Sequence, residues 1–330
     1  MAKEPRRALV LWLKPKKLRM KAIILKDFGG VEQLELTELP VPGIGEGEVL
    51  VQVKAISINP VDVKTRAGKG LAAKLKDDQP IILGWDISGV VTESNSPDFT
   101  AGDEVFGLIR FPGHGKAYAE YVAVPAEQLA LMPSGIGYPE AAAATLAALA
   151  AWQAFSDHGK LRPGQRVLIH AAAGGVGHYA VQFARYIGAY VIGTASAENR
   201  EFVLGLGANE VIDYKAHRFE DMVKDIDFVL DTIGGDNIDR SLEVMKKGGT
   251  IVSIPSGKND SVKEKAKAKG MFGLTMMVQS SGEDMQHLSQ LMEDGELRSE
   301  VSKVFSFGQM AEAHLQVESG RTRGKTVVIF

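Results

Sequence analysis

The seven residues Ala171-Ala172-Ala173-Gly174-Gly175-Val176-Gly177 carry the clearest chemistry in the chain. Glycines at this spacing let a backbone close on a pyrophosphate: Gly174 leaves room for the ligand, and Gly177 lets the following helix pack tightly. Ala173, Gly175 and Val176 complete the turn that would meet a dinucleotide. The first position of the usual G-x-G-x-x-G is Ala172, so the fingerprint is a variant. Further on, Ser196 and Asn199 offer hydrogen-bond donors and Arg200 a guanidinium, where sites that select NAD place an acid. That pattern selects NADP, with Glu198 as a contrary charge and a solvated helix residue as the plainer reading of Arg200. Thr232-Ile233-Gly234 and Ser256-Gly257 each follow an apolar run, where a parallel sheet presents its ligand.

The elements needed to position these residues are present. Val167-Leu168-Ile169 reads as a strand and Tyr190-Val191-Ile192 as a second. Between them, Ala180, Val181, Phe183, Ala184 and Ile187 recur at helical spacing. The alternation continues with strands at Glu210–Asp213, Phe228–Asp231 and Thr250–Ile254, and Lys247-Gly248-Gly249 reads as a tight turn. Such alternation predicts a doubly wound parallel sheet. Upstream, Met20–Leu25, Glu48–Ile58, Ile87–Thr92 and Tyr118–Val124 are β-rich segments broken by Gly and Pro, a barrel-like composition. Pro139–Phe155 reads as one long Ala-rich helix carrying Thr145. A strand at Leu274–Val278, a helix at Asp284–Met292 and a strand at Gly324–Ile329 follow, the last rejoining the first domain. The expected fold is α/β, with a β-rich catalytic domain at 20–144 and 281–330. A nucleotide-binding domain at 145–280 is inserted in it, and a basic extension precedes at 1–19.

Composition narrows the function. The chain has 330 residues, a net charge of −3 and no cysteine. Disulfides, thiolate chemistry and Cys-based zinc sites are thereby excluded. No basic footprint for nucleic acid is evident overall, and no run approaches the roughly 20 apolar residues that cross a bilayer. A cytoplasmic location is expected. The first 19 residues hold seven basic residues and one acid; they read as an upstream extension, or as an organelle-targeting segment without the usual Ser. Lys258–Lys269 reads as a solvated helix face.

Several ordered stretches resemble one family. They are Ser57-Ile58-Asn59-Pro60-Val61-Asp62, Gly84-Trp85-Asp86-Ile87-Ser88-Gly89-Val90-Val91, Ala101-Gly102-Asp103-Glu104-Val105-Phe106-Gly107, the Ala171–Gly177 turn, Leu206–Tyr214 and Gly320–Ile329. Residues 20–330 thus resemble the medium-chain dehydrogenase/reductase superfamily, in its zinc-free quinone reductase and alkenal/enone reductase branch. The resemblance implies a GroES-like catalytic domain, a Rossmann domain and an active site between them. Zinc alcohol dehydrogenases of the superfamily use a Cys near the Asn59 region and a Gly-His-Glu triplet. Here the triplet reads Gly84-Trp85-Asp86, so no metal is expected.

The resemblance also implies roles. Lys64 would face the active site and cofactor and donate to an enolate oxygen or to the cofactor ribose. Asn59 would be a cleft donor or simply the turn residue before Pro60. Thr145 would bond near the nicotinamide, or satisfy its hydroxyl on its own backbone. Tyr214 would lie beside the adenosine phosphate, and Val278 would offer backbone groups to the carboxamide. Gly324-Lys325 would reach the cofactor phosphates. The implied activity is NADPH-dependent reduction of a quinone or of the double bond of an α,β-unsaturated carbonyl. The alternatives are reduction of an enoyl thioester and a non-catalytic, crystallin-like NADPH-binding protein. A homodimer through the strand near Met276 would fit the family.

Overall fold

The computed structural model describes residues 18–330, and all of the basic extension but Leu18 and Arg19 lies outside them. Strands β1 (Arg19–Leu25), β2 (Leu34–Pro40) and β3 (Glu48–Ile58) lead to helix α1 (Pro60–Arg66) and the short α2 (Ala72–Leu75). Strands β4 (Ile81–Ile82), β5 (Asp86–Ser94), β6 (Glu104–Leu108), β7 (Tyr121–Pro125) and β8 (Ala130–Leu131) follow. Helices α3 (Tyr138–Ala143) and α4 (Leu146–Gln153) then lead into the alternating part. It comprises β9 (Arg166–Ile169), α5 (Gly177–Ile187), β10 (Tyr190–Ala195), α6 (Arg200–Gly205), β11 (Glu210–Asp213), β12 (Ile226–Asp231), α7 (Asp236–Val244), β13 (Met245–Ser253), α8 (Val262–Ala268) and β14 (Phe272–Thr275). The chain closes with α9 (Gly282–Glu293), β15 (Val301–Ser306), α10 (Met310–Glu318) and β16 (Lys325–Ile329).

The alternating part folds as an all-parallel sheet in the order β11-β10-β9-β12-β13-β14. Strand order reverses between β9 and β12, which opens the crevice where such sheets bind ligands. Its central strands are apolar on both faces, as burial on both sides demands: Val167, Leu168, Ile169, Val229 and Leu230 have no exposed surface. The β-rich part forms a larger sheet, β15-β16-β3-β5-β6-β8 with β7 on β3, and a small one, β2-β1-β4. Tyr118 joins the two by accepting the Ile23 N–H at 2.8 Å. The α/β fold is therefore a GroES-like unit carrying a Rossmann-like unit, with β15 and β16 returning to the first sheet.

Four local expectations are corrected. The Ala-rich segment is two helices, broken at Ala144–Thr145, and it ends in a wide turn at Ala154–His158. Small apolar residues on every side of α4 let it be buried all round, so propensity did not mark the break. Lys247-Gly248-Gly249 is not a turn between elements but an irregular stretch within β13, where the register with β12 shifts. Lys258 lies before α8 rather than on it, and Val278 lies past the end of β14.

Candidate active site and dinucleotide crevice

The glycine-rich turn leaves β9 and enters α5. Ala171 takes φ +49°, a left-handed conformation, and its amide donates to the Thr194 hydroxyl at 3.1 Å. The Ala172 amide donates to the Thr194 carbonyl at 2.9 Å. These bonds fasten the turn to β10. A Cβ on Gly177 would lie 2.8 Å from the Ala172 Cα, so only glycine fits there. Ala172 keeps its methyl because Gly193 on β10 makes room; a Cβ on Gly193 would sit 2.7 Å from it. The departure from the usual glycine is thus compensated across the sheet. Ala173, Gly174, Gly175 and Val176 span the turn, and α5 directs its first N–H groups and positive dipole end there.

Beside the turn opens a cavity of about 840 Å³ that Ala173 and Gly174 help to line. Ser196, Asn199 and Tyr214 line it too. The Asn199 amide donates to the Ser196 hydroxyl at 3.1 Å, and that hydroxyl donates to Glu198 at 3.0 Å. Lys215 stands 3.6 Å from Glu198 and offsets its charge. Arg200 is not in the cavity: its guanidinium donates to the Val211 carbonyl at 2.7 Å. The basic lining comes instead from Lys215, Lys303, Arg321 and Arg323. Arg323 pairs with Glu300 at 2.9 Å, whereas Lys303 and Arg321 meet no acidic partner among the described residues. Sequence reading missed Lys303, Arg321 and Arg323, because they arrive from more than 100 residues downstream. The basic cluster in Arg321-Thr322-Arg323-Gly324-Lys325 was the available signal.

On the other side of the crevice, Asn59 caps α1. Its backbone N–H donates to Asp62 at 2.8 Å in a capping box. Its side-chain amide donates to Asp86 at 2.7 Å, and its carbonyl oxygen accepts from Lys325. Asn59 is therefore fixed in place by its neighbours, with one of its two side-chain N–H groups engaged by Asp86. Asp86 also accepts the Leu146 N–H at 3.2 Å and so fixes the start of α4. Burial raises the Asp86 carboxyl above its ordinary range, and Lys325 and Asn59 oppose the rise. Burial lowers the Lys325 ammonium, and Asp86 and Asp62 oppose the fall. Lys325 is 3% exposed and turned inward: a Cβ on Gly175 of the turn would lie 3.5 Å from one of its methylenes, and its ammonium rests on Asn59. Gly324 does touch the turn, donating its N–H to the Ala173 carbonyl at 2.8 Å. The Thr145 hydroxyl is satisfied locally on the Ala142 carbonyl at 2.9 Å.

Lys64 sits one turn into α1, half-buried and outside every ion pair among the described residues. Burial lowers its pKa, and the charge of Lys258 adds to the effect. Lys258 belongs to the loop after β13, so cations from both units face one another. That loop carries Ser256 and Gly257, and the loop after β12 packs on it: the Gly235 N–H donates to the Lys258 carbonyl at 2.8 Å. Asp231 shapes the β12 loop by accepting the Ile233 and Gly234 amides, each at 3.0 Å. Thr232 ties the same loop to the glycine-rich turn through the His170 carbonyl at 2.9 Å. The Gln153 amide holds both backbone groups of Gln279, which fixes the segment of Val278. Among the described residues, no three His, Asp or Glu side chains gather as a cation site would need. At the expected triplet, the Trp85 indole donates to the Gly113 carbonyl at 2.7 Å.

Comparison with known proteins agrees with this architecture. Residues 45–134 match the alcohol dehydrogenase GroES-like domain, and residues 206–328 match the zinc-binding dehydrogenase family. The mitochondrial NAD(P)H oxidoreductase RTN4IP1 of Homo sapiens is 32% identical, over 95% of this chain and 90% of its own length. The chloroplastic NADPH-dependent alkenal/one oxidoreductase of Arabidopsis thaliana is 34% identical, over 94% of this chain and 79% of its own. The solved quinone oxidoreductase of Coxiella burnetii superposes with a TM-score of 0.90 at 37% identity, covering 95% of this chain and 100% of its own.

Proposed function

The chain belongs to the medium-chain dehydrogenase/reductase superfamily, and on that premise we propose that it is a metal-independent, NADPH-dependent reductase of quinones or of α,β-unsaturated carbonyls. Relatives named as alkenal/one and quinone oxidoreductases support the reaction class. The observation that carries the reading is Lys64, a half-buried ammonium outside every ion pair among the described residues, facing Lys258 of the loop after β13. The domain boundaries near residues 144 and 280 are part of the same reading.

The residues fit the cofactor. The turn is pared of side chains where a pyrophosphate would pass, and the adjoining cavity carries basic groups. Ala173 to Gly177 would take the pyrophosphate, and Ser196, Asn199 and Tyr214 the adenosine end. Lys215, Lys303, Arg321 and Arg323 favour a phosphorylated ribose over the plain one. When bound, reduced nicotinamide supplies the hydride. Thr232, Ile233, Gly234, Ser256, Gly257 and Val278 shape the wall at that end. Lys64 donates to the acceptor oxygen on which negative charge gathers, a donor whose worth rises in a water-poor cleft. Asn59 and Thr145 hold the helix starts around it.

The test is loss of nicotinamide absorbance with enone and quinone panels, comparing NADPH with NADH, with and without chelator. Fast NADPH-specific turnover untouched by chelator is expected. Tight NADPH binding without turnover on either panel, or on an enoyl thioester, would replace this reading with a binding protein. Chelator-sensitive turnover would overturn its metal-free part.

We also propose a homodimer through β14, an edge strand of the parallel sheet on which Phe272 is 63% exposed. Light scattering of the Phe272→Asp variant, expected to be monomeric, tests it. No described helix is long and apolar enough to cross a membrane, and small molecules rather than nucleic acid or membrane are the proposed partners. The cytoplasmic placement is tested by cell fractionation, since two relatives carry organelle names.

A further inference from the structure

Lys325 is a buried cation that the reaction above does not use, yet it stands where three parts of the molecule meet. Its preceding residue is bound to the glycine-rich turn, Gly324 N–H to Ala173 carbonyl at 2.8 Å. A Cβ on Gly175 would lie 3.5 Å from a methylene of the Lys325 side chain. Gly324 holds φ +59° against Glu300, so the approach is fixed by a residue that only glycine suits. At the far end of the side chain, the ammonium donates to the Asn59 side-chain oxygen and to the Ile58 carbonyl at 3.5 Å. It lies 3.9 Å from Asp86, which in turn holds the Asn59 amide and the start of α4. Asn59 is the cap of α1, and α1 carries Lys64.

We propose that Lys325 is the positioning residue of this reductase: it ties the nucleotide-binding turn to the cap of α1 and so sets the place of Lys64. The inference rests on the role given to Lys64 above. Lys325 touches neither acceptor nor cofactor in this scheme. Its amine reads the position of the turn through Gly324 and transmits it through Asn59. Removing the ammonium frees the Asn59 side-chain oxygen and leaves Asp86 without its cation. The α1 cap then loosens while the glycine-rich turn keeps its shape, because the bonds from Ala171 and Ala172 to Thr194 are independent of Lys325.

The experiment is a double-mutant cycle of Lys325→Met and Lys64→Ala, with NADPH affinity measured separately by nucleotide fluorescence. Lys325→Met is expected to lower kcat by roughly 10- to 100-fold, the scale on which small misplacements of catalytic groups act. Its NADPH dissociation constant is expected to stay within about threefold, a change too small for a lost charge-assisted bond to phosphate. In the Lys64→Ala background the same substitution should cost less than about twofold, because one residue acts through the other. Lys325→Arg should recover part of the rate. Multiplicative effects in the cycle would overturn the proposal. So would a loss of NADPH affinity matching the loss of rate, which would make Lys325 a phosphate ligand. If Lys325→Met does not fold, Lys325→Met with Asp86→Asn removes both charges and takes its place in the cycle. An unchanged rate in Lys64→Ala alone has a different signature: it removes the role of Lys64, and this inference with it.

Discussion

The Tyr118 hydroxyl donates to Asp62 across 3.0 Å and accepts from His314 across another 3.0 Å, in the interior behind α1. Arg66 continues the chain, touching His314 and pairing with Glu318 at 2.5 Å. His314 is held neutral by burial and by Arg66, its pKa lowered to about 3, so one ring nitrogen accepts from Arg66 while the other donates to Tyr118. Burial, then the charge of Asp86, raises the Asp62 carboxyl from 3.8 to about 7. A carboxyl raised in the folded state stabilises fully below its unfolded pKa, and that contribution is lost as pH rises through the folded value. Asp62 should therefore weaken the fold between about pH 4 and 7. Asp62→Asn keeps an oxygen for the Asn59 cap and should flatten that slope in urea unfolding. An identical slope in the variant would refute the assignment.

Lys258 depresses Lys64 from across the crevice, second to burial. Lys258→Gln should let the Lys64 pKa move back toward the ordinary lysine range. The alkaline limb of kcat/KM should then shift to higher pH, with little change at neutral pH. A limb that does not move would mean that Lys64 is not the titrating group.

The basic end of the cavity should decide between the two nicotinamide cofactors. Arg321→Ala, or Lys303→Ala, should weaken NADPH by about tenfold, corresponding to a hydrogen bond to a charged group. NADH affinity should hold. Calorimetric titration with both cofactors checks the difference, and equal losses for the two would assign these residues to the pyrophosphate instead.

Gly177 is the residue on which the turn closes. Gly177→Ala forces a methyl to within 2.8 Å of the Ala172 Cα, where backbone must move. A cost of about 1–3 kcal/mol is expected, in line with overpacked interiors. Thermal unfolding measures that cost, and NADPH affinity should fall with it.

What could be read in the residues follows from the range of the interactions. The turn from Ala171 to Gly177, the strands around it and the late strand at Gly324–Ile329 are marked by local patterns, and their places in the fold agree with them. The break at Thr145 and the irregularity at Gly248 are not marked, because burial on all sides and a register shift with β12 decide them. Within the site, Arg200 looked like the phosphate partner because it is near in sequence, yet the Val211 carbonyl claims its guanidinium. The basic groups that do line the cavity come from the far end of the chain, brought there by the return of β16 to β3. The inward turn of Lys325 was equally hidden, since it depends on Asp86 and Asn59, both distant in sequence.

The return of β16 to β3 also orders events in time. Ser57 bonds to Thr326, 269 residues away. A chain leaving the ribosome thus exposes the whole parallel sheet while the sheet that hosts it still lacks β15 and β16. The inserted unit has its own core and can close first, since domains fold as units during synthesis. Its host must wait, with Ala55–Ile58 of β3 unpaired on the side that β16 will take, until the chain is nearly complete. Loop closure over so long a span makes that last pairing a slow step. A nascent chain halted before β15 would hold a formed nucleotide crevice facing an unfinished wall, with neither the Lys325 ammonium nor the Arg321 guanidinium yet in place.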